Sequence, residues 1–136
     1  MLMIAVGLNC LAALLLIALA GKYLLGPAPA DYHEEVLREA GADISSAHKG
    51  VFRAVNFVIG SGFLAQAILI LLVTYFGVMQ DILWAKVTVL VAAVVAGLPP
   101  TIAAQQMEKR TRVRTPWRPG IGLMVIVIAA FVLSVI

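Results

Sequence analysis

Residues 105–120 read QQMEKRTRVRTPWRPG and separate two runs of almost uninterrupted apolar residues. The stretch carries half of the chain's ten lysines and arginines, namely Lys109, Arg110, Arg112, Arg114 and Arg118. The flanking runs are long enough to cross a bilayer, since a spanning helix needs roughly 17–25 apolar residues. Lysine and arginine accumulate in the short cytoplasmic loops that join such spans. The stretch therefore predicts a cytoplasmic loop between two transmembrane helices.

The composition of the whole chain agrees with a membrane protein. Of the 136 residues, 62% are hydrophobic and 12% are charged, and the charged share is about half that of an ordinary soluble domain. The mean hydropathy is +1.03. A soluble domain of this length has too small an interior to bury so much apolar surface. A single cysteine, Cys10, excludes an internal disulfide and a cysteine-rich zinc site.

Four apolar segments predict four transmembrane helices, at about residues 1–25, 48–79, 82–104 and 119–136. We expect an all-α membrane fold, a four-transmembrane-helix bundle that forms a single domain over residues 1–136. Helices are expected because they satisfy their own backbone hydrogen bonds in lipid. The first segment lacks a basic leader, so we expect it to be retained rather than removed as a signal peptide.

The distribution of basic residues predicts the orientation of the bundle. Four spans put the first and third loops on one side, and these loops with their flanks hold nine of the ten basic residues. We therefore place loops 26–47 and 105–118 in the cytoplasm and both termini outside, in a bacterial inner membrane. The five basic residues of the opening stretch are also expected to attract anionic lipid headgroups. Nucleic acid is not an expected partner, because few aromatic residues interleave with these charges.

The first polar loop predicts a helix of its own over residues 31–41, DYHEEVLREAG. Asp31 is placed to cap it, with Glu34 three residues later, and Gly41 is suited to end it. The apolar residues of this segment form one stripe. We therefore expect a short interfacial helix that lies on the membrane surface or across the mouth of the bundle.

Other polar residues predict the ends of the second and third spans. Asp43, Ser45 or Ser46 is expected to cap the second span. Asp81 is placed to cap the third span, and Lys86, about one turn inside it, is expected to extend outward to water.

The pair Pro99-Pro100 predicts a bend near the cytoplasmic end of the third span. Two prolines remove two backbone donors, which frees the carbonyls of about Val95 and Ala96. We expect a hydroxyl, water or another helix to satisfy them, and Thr101 carries the nearest hydroxyl.

A polar cluster at the entry to the second span is the candidate binding site. Helical spacing puts Lys49, Arg53 and Asn56 on one face, with His48 beside it. Polar side chains at this depth face protein or water rather than lipid. They either hydrogen-bond to neighbouring helices or form an anionic-ligand pocket at the cytoplasmic mouth. We name His48, Arg53 and Asn56 as candidate ligand-binding residues and leave both interpretations open.

The only two histidines, His33 and His48, fall in the first polar loop and its edge. Their spacing, with Glu34 or Asp43 nearby, matches no standard set of zinc ligands, so we predict no metal site and expect each to bond to backbone or water. The predicted spans hold no pair of carboxylates, and the chain has no phosphate-binding glycine loop or nucleophile motif. No catalytic residue is predicted.

The chain resembles a group of small bacterial four-helix membrane proteins of uncharacterised function. The resemblance rests on Asp31-Tyr32-His33, the glycine-rich stretch of the second span, Trp84-Ala85, and RVRTPWR at residues 112–118. It covers most of the chain and implies a fold, but it implies no activity.

A second resemblance is to the membrane-associated eicosanoid and glutathione metabolism family, whose members have a similar length and four spans and form trimers. Arg53-Ala54-Val55-Asn56 is similar to that family's Arg-Ala-x-Asn, but Ile59 stands where the family has a glutamate. The resemblance implies a glutathione-conjugating enzyme in which Arg53 contacts the carboxylates of the tripeptide and Asn56 orients it.

Our leading functional prediction is a non-catalytic accessory, scaffold or assembly subunit of a larger bacterial membrane complex. Its expected partners are other membrane subunits or further copies of the chain. The glutathione-conjugating enzyme is the first alternative. A small oligomeric transporter is the second, and a hydrated cavity near Pro99 and Gln66 would favour it.

Overall fold

A computed structural model describes all residues 1–136 as an all-helical chain without strands. The helices are α1 (Leu2–Leu25), α2 (Asp31–Glu39), α3 (Ser46–Val73), a π-helical turn (Thr74–Val78) that continues α3, α4 (Leu83–Thr111) and α5 (Trp117–Val135). Four of them, α1, α3 with its π-helical turn, α4 and α5, are long and apolar enough to cross a membrane. The predicted all-helical fold with four candidate spans is thereby confirmed.

The bundle is held together mainly by three pairs of neighbouring helices. Helix α1 packs against both α3 and α5, and α4 packs against α5. Small residues dominate the core, among them Ala12, Ala13, Ala67 and Ala85. At Gly60 a Cβ atom would lie 2.7 Å from Leu24 Cγ, so this glycine allows α3 to approach α1 closely. Helices α3 and α4 touch mainly near the π-helical turn and separate toward the other end of the bundle.

Helix α4 extends beyond its predicted end at residue 104 and runs through both prolines to Thr111. The Thr101 hydroxyl donates to the carbonyl of Gly97 at 2.7 Å. The prediction that this hydroxyl satisfies Val95 or Ala96 is therefore wrong, because a threonine hydroxyl in a helix reaches the carbonyl four residues before it. The predicted bend itself stays a prediction.

Two predictions at the start of α4 are also wrong. Ile82, not Asp81, occupies the cap position of α4, and Asp81 has a positive φ of 60°. The carboxylate of Asp81 instead accepts a hydrogen bond from Lys86 at 2.5 Å. Lys86 is 7% exposed and also donates to the backbone carbonyl of Ser134 near the end of α5. It turns inward because the last carbonyls of a helix have no partner within that helix.

The helix predicted in the first polar loop is present as α2. Ala30 holds its cap position and Asp31 makes no capping hydrogen bond, so the predicted Asp31 cap is wrong. Gly41 follows the helix with a φ of +69°, the left-handed conformation that glycine adopts most readily after a helix. Of the three residues predicted as possible caps of α3, Ser45 holds the position, and its hydroxyl accepts a hydrogen bond from the backbone N–H of His48.

Candidate binding site at the basic end of the bundle

Arg53 joins the first turns of α3 to the end of α1. Its guanidinium donates to the carbonyl of Gly26 at 2.7 Å and to that of Leu24 at 3.1 Å. The guanidinium carbon also lies 4.6 Å from the centre of the Phe57 ring. The carbonyls at a helix C-terminus carry partial negative charge and lack helical partners. The arginine therefore satisfies the end of α1 and fixes α3 against it.

Asn56 lies one turn deeper in α3 and is buried, with 1% of its surface exposed. Its side-chain amide donates a long hydrogen bond of 3.4 Å to the carbonyl of Pro27. Its side-chain oxygen has no hydrogen-bond partner in the protein. A buried acceptor without a partner costs free energy, so this oxygen marks a place where an added donor would stabilise the protein.

His48, the third candidate residue, takes part in the cap of α3. His48 is exposed, and its Nδ1 accepts a hydrogen bond from the backbone N–H of Ser45 at 3.3 Å. It completes a capping box at the start of α3. The hydrogen bonds of His48 thus belong to the start of α3, and its proposed part in a ligand-binding cluster stays a prediction.

A polar cavity of about 360 Å³ opens beside Asn56 at the basic end of the bundle. We call it the mouth; its charged and polar lining residues are Lys22, Tyr23, Asp31, Tyr32, Asn56, Arg114, Thr115 and Arg118. Lys22 and Arg114 form no ion pair. Sequence analysis missed Lys22 as a site residue, although its position in the last turn of the first span was the available signal.

Glu108 positions the basic loop that forms one wall of the mouth. It accepts a hydrogen bond from the backbone N–H of Thr115 at 2.8 Å and pairs with Arg118 at 3.0 Å. The hydroxyl of Thr115 donates to the carbonyl of Ala104 at 2.7 Å. These contacts fold residues 112–116 back on the end of α4 and bring Arg114 to the mouth.

Helix α2 supplies the other wall of the mouth through aromatic contacts. The hydroxyls of Tyr32 and Tyr23 hydrogen-bond at 3.3 Å, and burial, followed by this bond, raises the pKa of Tyr32 above its usual value. The His33 ring lies between Tyr32 and Phe52, with centroid distances of 3.9 and 5.4 Å. Burial lowers the pKa of His33. Its Nδ1 has no protein partner, and the predicted bond of this histidine to backbone or water stays a prediction.

A second cavity, of about 540 Å³, adjoins the mouth on the side where α3 and α4 separate. We call it the cleft; its lining is mostly apolar and includes Val58, Ile59, Phe63, Pro100 and Leu123. Gln66 also lines it, and its side-chain amide donates to the carbonyl of Ala92 at 3.3 Å. A cavity therefore lies beside Gln66 and Pro100, with a largely hydrophobic wall, and the transporter alternative stays a prediction.

The structure brings together no group of three histidine, cysteine, aspartate or glutamate side chains that could hold a metal ion. No model of a protein family matches the chain, and neither a curated protein nor a solved structure does. Both family resemblances stay predictions.

Proposed function

We propose that the chain is a non-catalytic accessory or assembly subunit of a larger complex in a bacterial inner membrane. In this proposal both termini lie outside and loops 26–47 and 105–118 lie in the cytoplasm. Helix α2 then rests at the cytoplasmic surface, where the five basic residues of the opening stretch attract anionic headgroups. The proposal rests on the hydrogen bonds of Arg53, because the competing enzyme interpretation assigns this same residue to substrate binding.

The contacts of Arg53 favour a structural role over a substrate-binding role. The two hydrogen bonds to Leu24 and Gly26 and the ring of Phe57 occupy the guanidinium within the chain itself. Binding a tripeptide carboxylate would require breaking bonds that satisfy the end of α1. Ile59, at the position of the missing glutamate, is an apolar residue of the cleft.

The outward face of α3 supports association with another transmembrane helix. Gly50, Ala54, Ser61 and Ala65 are all exposed on this helix. Ala54 follows Gly50 by four residues, and Ala65 follows Ser61 by four. Small residues at this spacing let two helices approach closely and exchange van der Waals contacts. The rest of the chain leaves this face uncovered, so it is available to a partner subunit or a second copy.

Calorimetric titration of the purified protein with glutathione separates the subunit from the enzyme. We expect no binding, and we expect Arg53→Ala to lower the free energy of unfolding in detergent by about 1–3 kcal/mol through loss of its hydrogen bonds. Lys49→Ala is the matched control, because Lys49 is exposed one turn earlier on the same helix, and its effect should stay within about 0.5 kcal/mol. Micromolar glutathione binding that Arg53→Ala removes would replace the proposal with the enzyme.

Association is tested with a bulky residue on the small-residue face. We expect wild-type protein, extracted gently from native membranes, to migrate on a native gel as a complex larger than one chain. Ser61→Trp should release the single chain, whereas Ala18→Trp, on the exposed face of α1, should leave the complex intact. A single chain in the wild type, or equal effects of the two tryptophans, would contradict the proposed assembly.

The cleft is the one observation that favours the transporter alternative. Its position beside Gln66 and Pro100 fits the prediction for a translocation site. Its largely apolar lining fits a hydrocarbon chain better than a hydrated solute, so the transporter remains second to the subunit.

A further inference from the structure

The mouth and the cleft are neighbouring cavities, and we call the two together the depression. Tyr23, Tyr32, Pro116 and Pro119 line both, so the two cavities share a wall. The first part is polar and basic, and the second is mostly apolar. We propose that this depression binds one anionic phospholipid with a hydroxylated headgroup, its phosphate at Lys22 and Arg114 and an acyl chain in the cleft. This inference does not depend on the proposed subunit function.

The charges of the mouth complement a single phosphate group. Lys22 comes from the last turn of α1 and Arg114 from the loop before α5, and neither has a carboxylate partner. Arg118 lies in the same wall, but Glu108 already pairs with it. Hydrogen bonds between a cation and a phosphate are stronger than those between neutral groups. Two free cations from separate elements therefore give the mouth a defined place for one phosphate.

Two acceptors in the mouth explain why the headgroup should also donate hydrogen bonds. The side-chain oxygen of Asn56 is buried without a partner, and the carboxylate of Asp31 lines the same cavity without an ion pair. A phosphate ester satisfies neither group, because it accepts hydrogen bonds itself. The hydroxyls of a glycerol headgroup can donate to both. Phosphatidylglycerol therefore fits the mouth better than phosphatidylcholine, which has no headgroup donor and a neutralising cation.

The shape and position of the cleft suit an acyl chain. Its volume of about 540 Å³ falls within the usual range of roughly 300–1,000 Å³ for ligand cavities. Val58, on its rim, is 75% exposed, so the cleft opens sideways from the bundle where lipid tails would lie. A Cβ atom at Gly62 would meet nothing within 4 Å, which leaves space along the backbone of α3. A lipid chain can enter from the bilayer without leaving hydrocarbon.

Native mass spectrometry of the full chain, with phosphatidylglycerol or phosphatidylcholine of identical acyl chains, tests the headgroup site. We expect one phosphatidylglycerol per chain to survive at lipid concentrations where phosphatidylcholine is lost. Lys22→Gln combined with Arg114→Gln should weaken this binding about 30-fold. Lys109→Gln combined with Arg110→Gln removes the same charge from residues that do not line the mouth, and should change binding less than about threefold.

The cleft is tested separately with a side chain that fills it. Gly62→Leu should displace the acyl chain and weaken phosphatidylglycerol binding about 10-fold or more, whereas Gly122→Leu, which enters open space on α5 away from the cleft, should leave it unchanged. Soluble glycerol phosphate, which lacks the chains, should not displace the lipid at equal concentration. Circular dichroism and size-exclusion chromatography establish that each variant is folded before its binding is compared.

Equal retention of the two lipids by wild-type protein would overturn the proposal. So would equal losses in the two charge variants, because binding would then reflect only the general positive charge of this end. Full binding by folded Gly62→Leu, or displacement by soluble glycerol phosphate, would remove the acyl chain from the site and contradict it as well.

Discussion

Individual polar residues in this bundle mostly satisfy backbone carbonyls at helix ends. Arg53 does so at the end of α1, and Lys86 does so at the end of α5. The sequence indicated that Arg53 faces protein or water rather than lipid, because its depth and its neighbours on the helix face were known. It misassigned Lys86, because the acceptor at Ser134 lies 48 residues away. Local sequence pattern therefore did not reveal the hydrogen-bond partners that distant helices contribute.

Removal of the Lys86 amine should loosen the end of the bundle where α4 begins and α5 ends. Lys86→Met keeps most of the side-chain volume but leaves the Ser134 carbonyl without its donor, so we expect the free energy of unfolding to fall by about 1–2 kcal/mol. Lys109→Met, at an exposed lysine without an ion pair, should stay within about 0.5 kcal/mol. Denaturant titration in a fixed detergent measures both, and equal values for the two variants would refute the inward role of Lys86.

Protonation of His33 should weaken the contact between α2 and α3. Burial lowers the pKa of this histidine in the folded protein, so the unfolded chain binds the proton more readily. Stability therefore rises with pH through the region below the ordinary histidine value of about 6.5 and is lost as the pH falls through it.

In the wild type, the midpoint temperature of thermal unfolding should fall as the pH is lowered from about 7.5 to 5.5. His33→Gln should flatten this dependence, and His48→Gln, at the other histidine, should retain the part that depends on His33. An unchanged slope in His33→Gln would show that His33 does not contribute.

At the scale of elements, apolar length predicted the four spans well, whereas their ends depended on tertiary contacts. Helix α4 continues past residue 104 because Glu108 holds the following loop against its last turns. The short helix α2 was predicted from its composition, although its cap was misassigned. The sequence indicated a basic region at this end, but the walls of the mouth formed by Lys22, Tyr32 and Arg114 required the fold.

The loop of residues 112–116 should become mobile when its acceptor is weakened. Glu108→Gln removes the charge that binds Thr115 and Arg118, so we expect amide hydrogen exchange at Thr115 to accelerate about 10-fold. Glu39→Gln, at the exposed end of α2, is the control and should leave exchange in this loop unchanged. Unchanged exchange in Glu108→Gln would show that the loop is held by other contacts.

At the scale of the whole molecule, four candidate spans place the ends of α1 and α4 and the starts of α3 and α5 together at the basic end. The mouth, helix α2 and the five basic residues of the opening stretch all belong to this end. The proposed orientation places this end in the cytoplasm, because the loops at this end and their flanks hold nine of the ten basic residues. The proposed subunit role and the proposed lipid-binding role are both described for this topology.

Cysteine accessibility in intact cells tests this topology most directly. In a Cys10→Ala background, single cysteines replace Ser46 before α3, Gln106 near the end of α4 and Gln80 in the outer turn, all exposed positions. We predict that an impermeant thiol reagent labels Gln80→Cys in intact cells and labels Ser46→Cys and Gln106→Cys only after the cells are opened. Labelling of Ser46→Cys or Gln106→Cys in intact cells, with Gln80→Cys protected, would contradict the account.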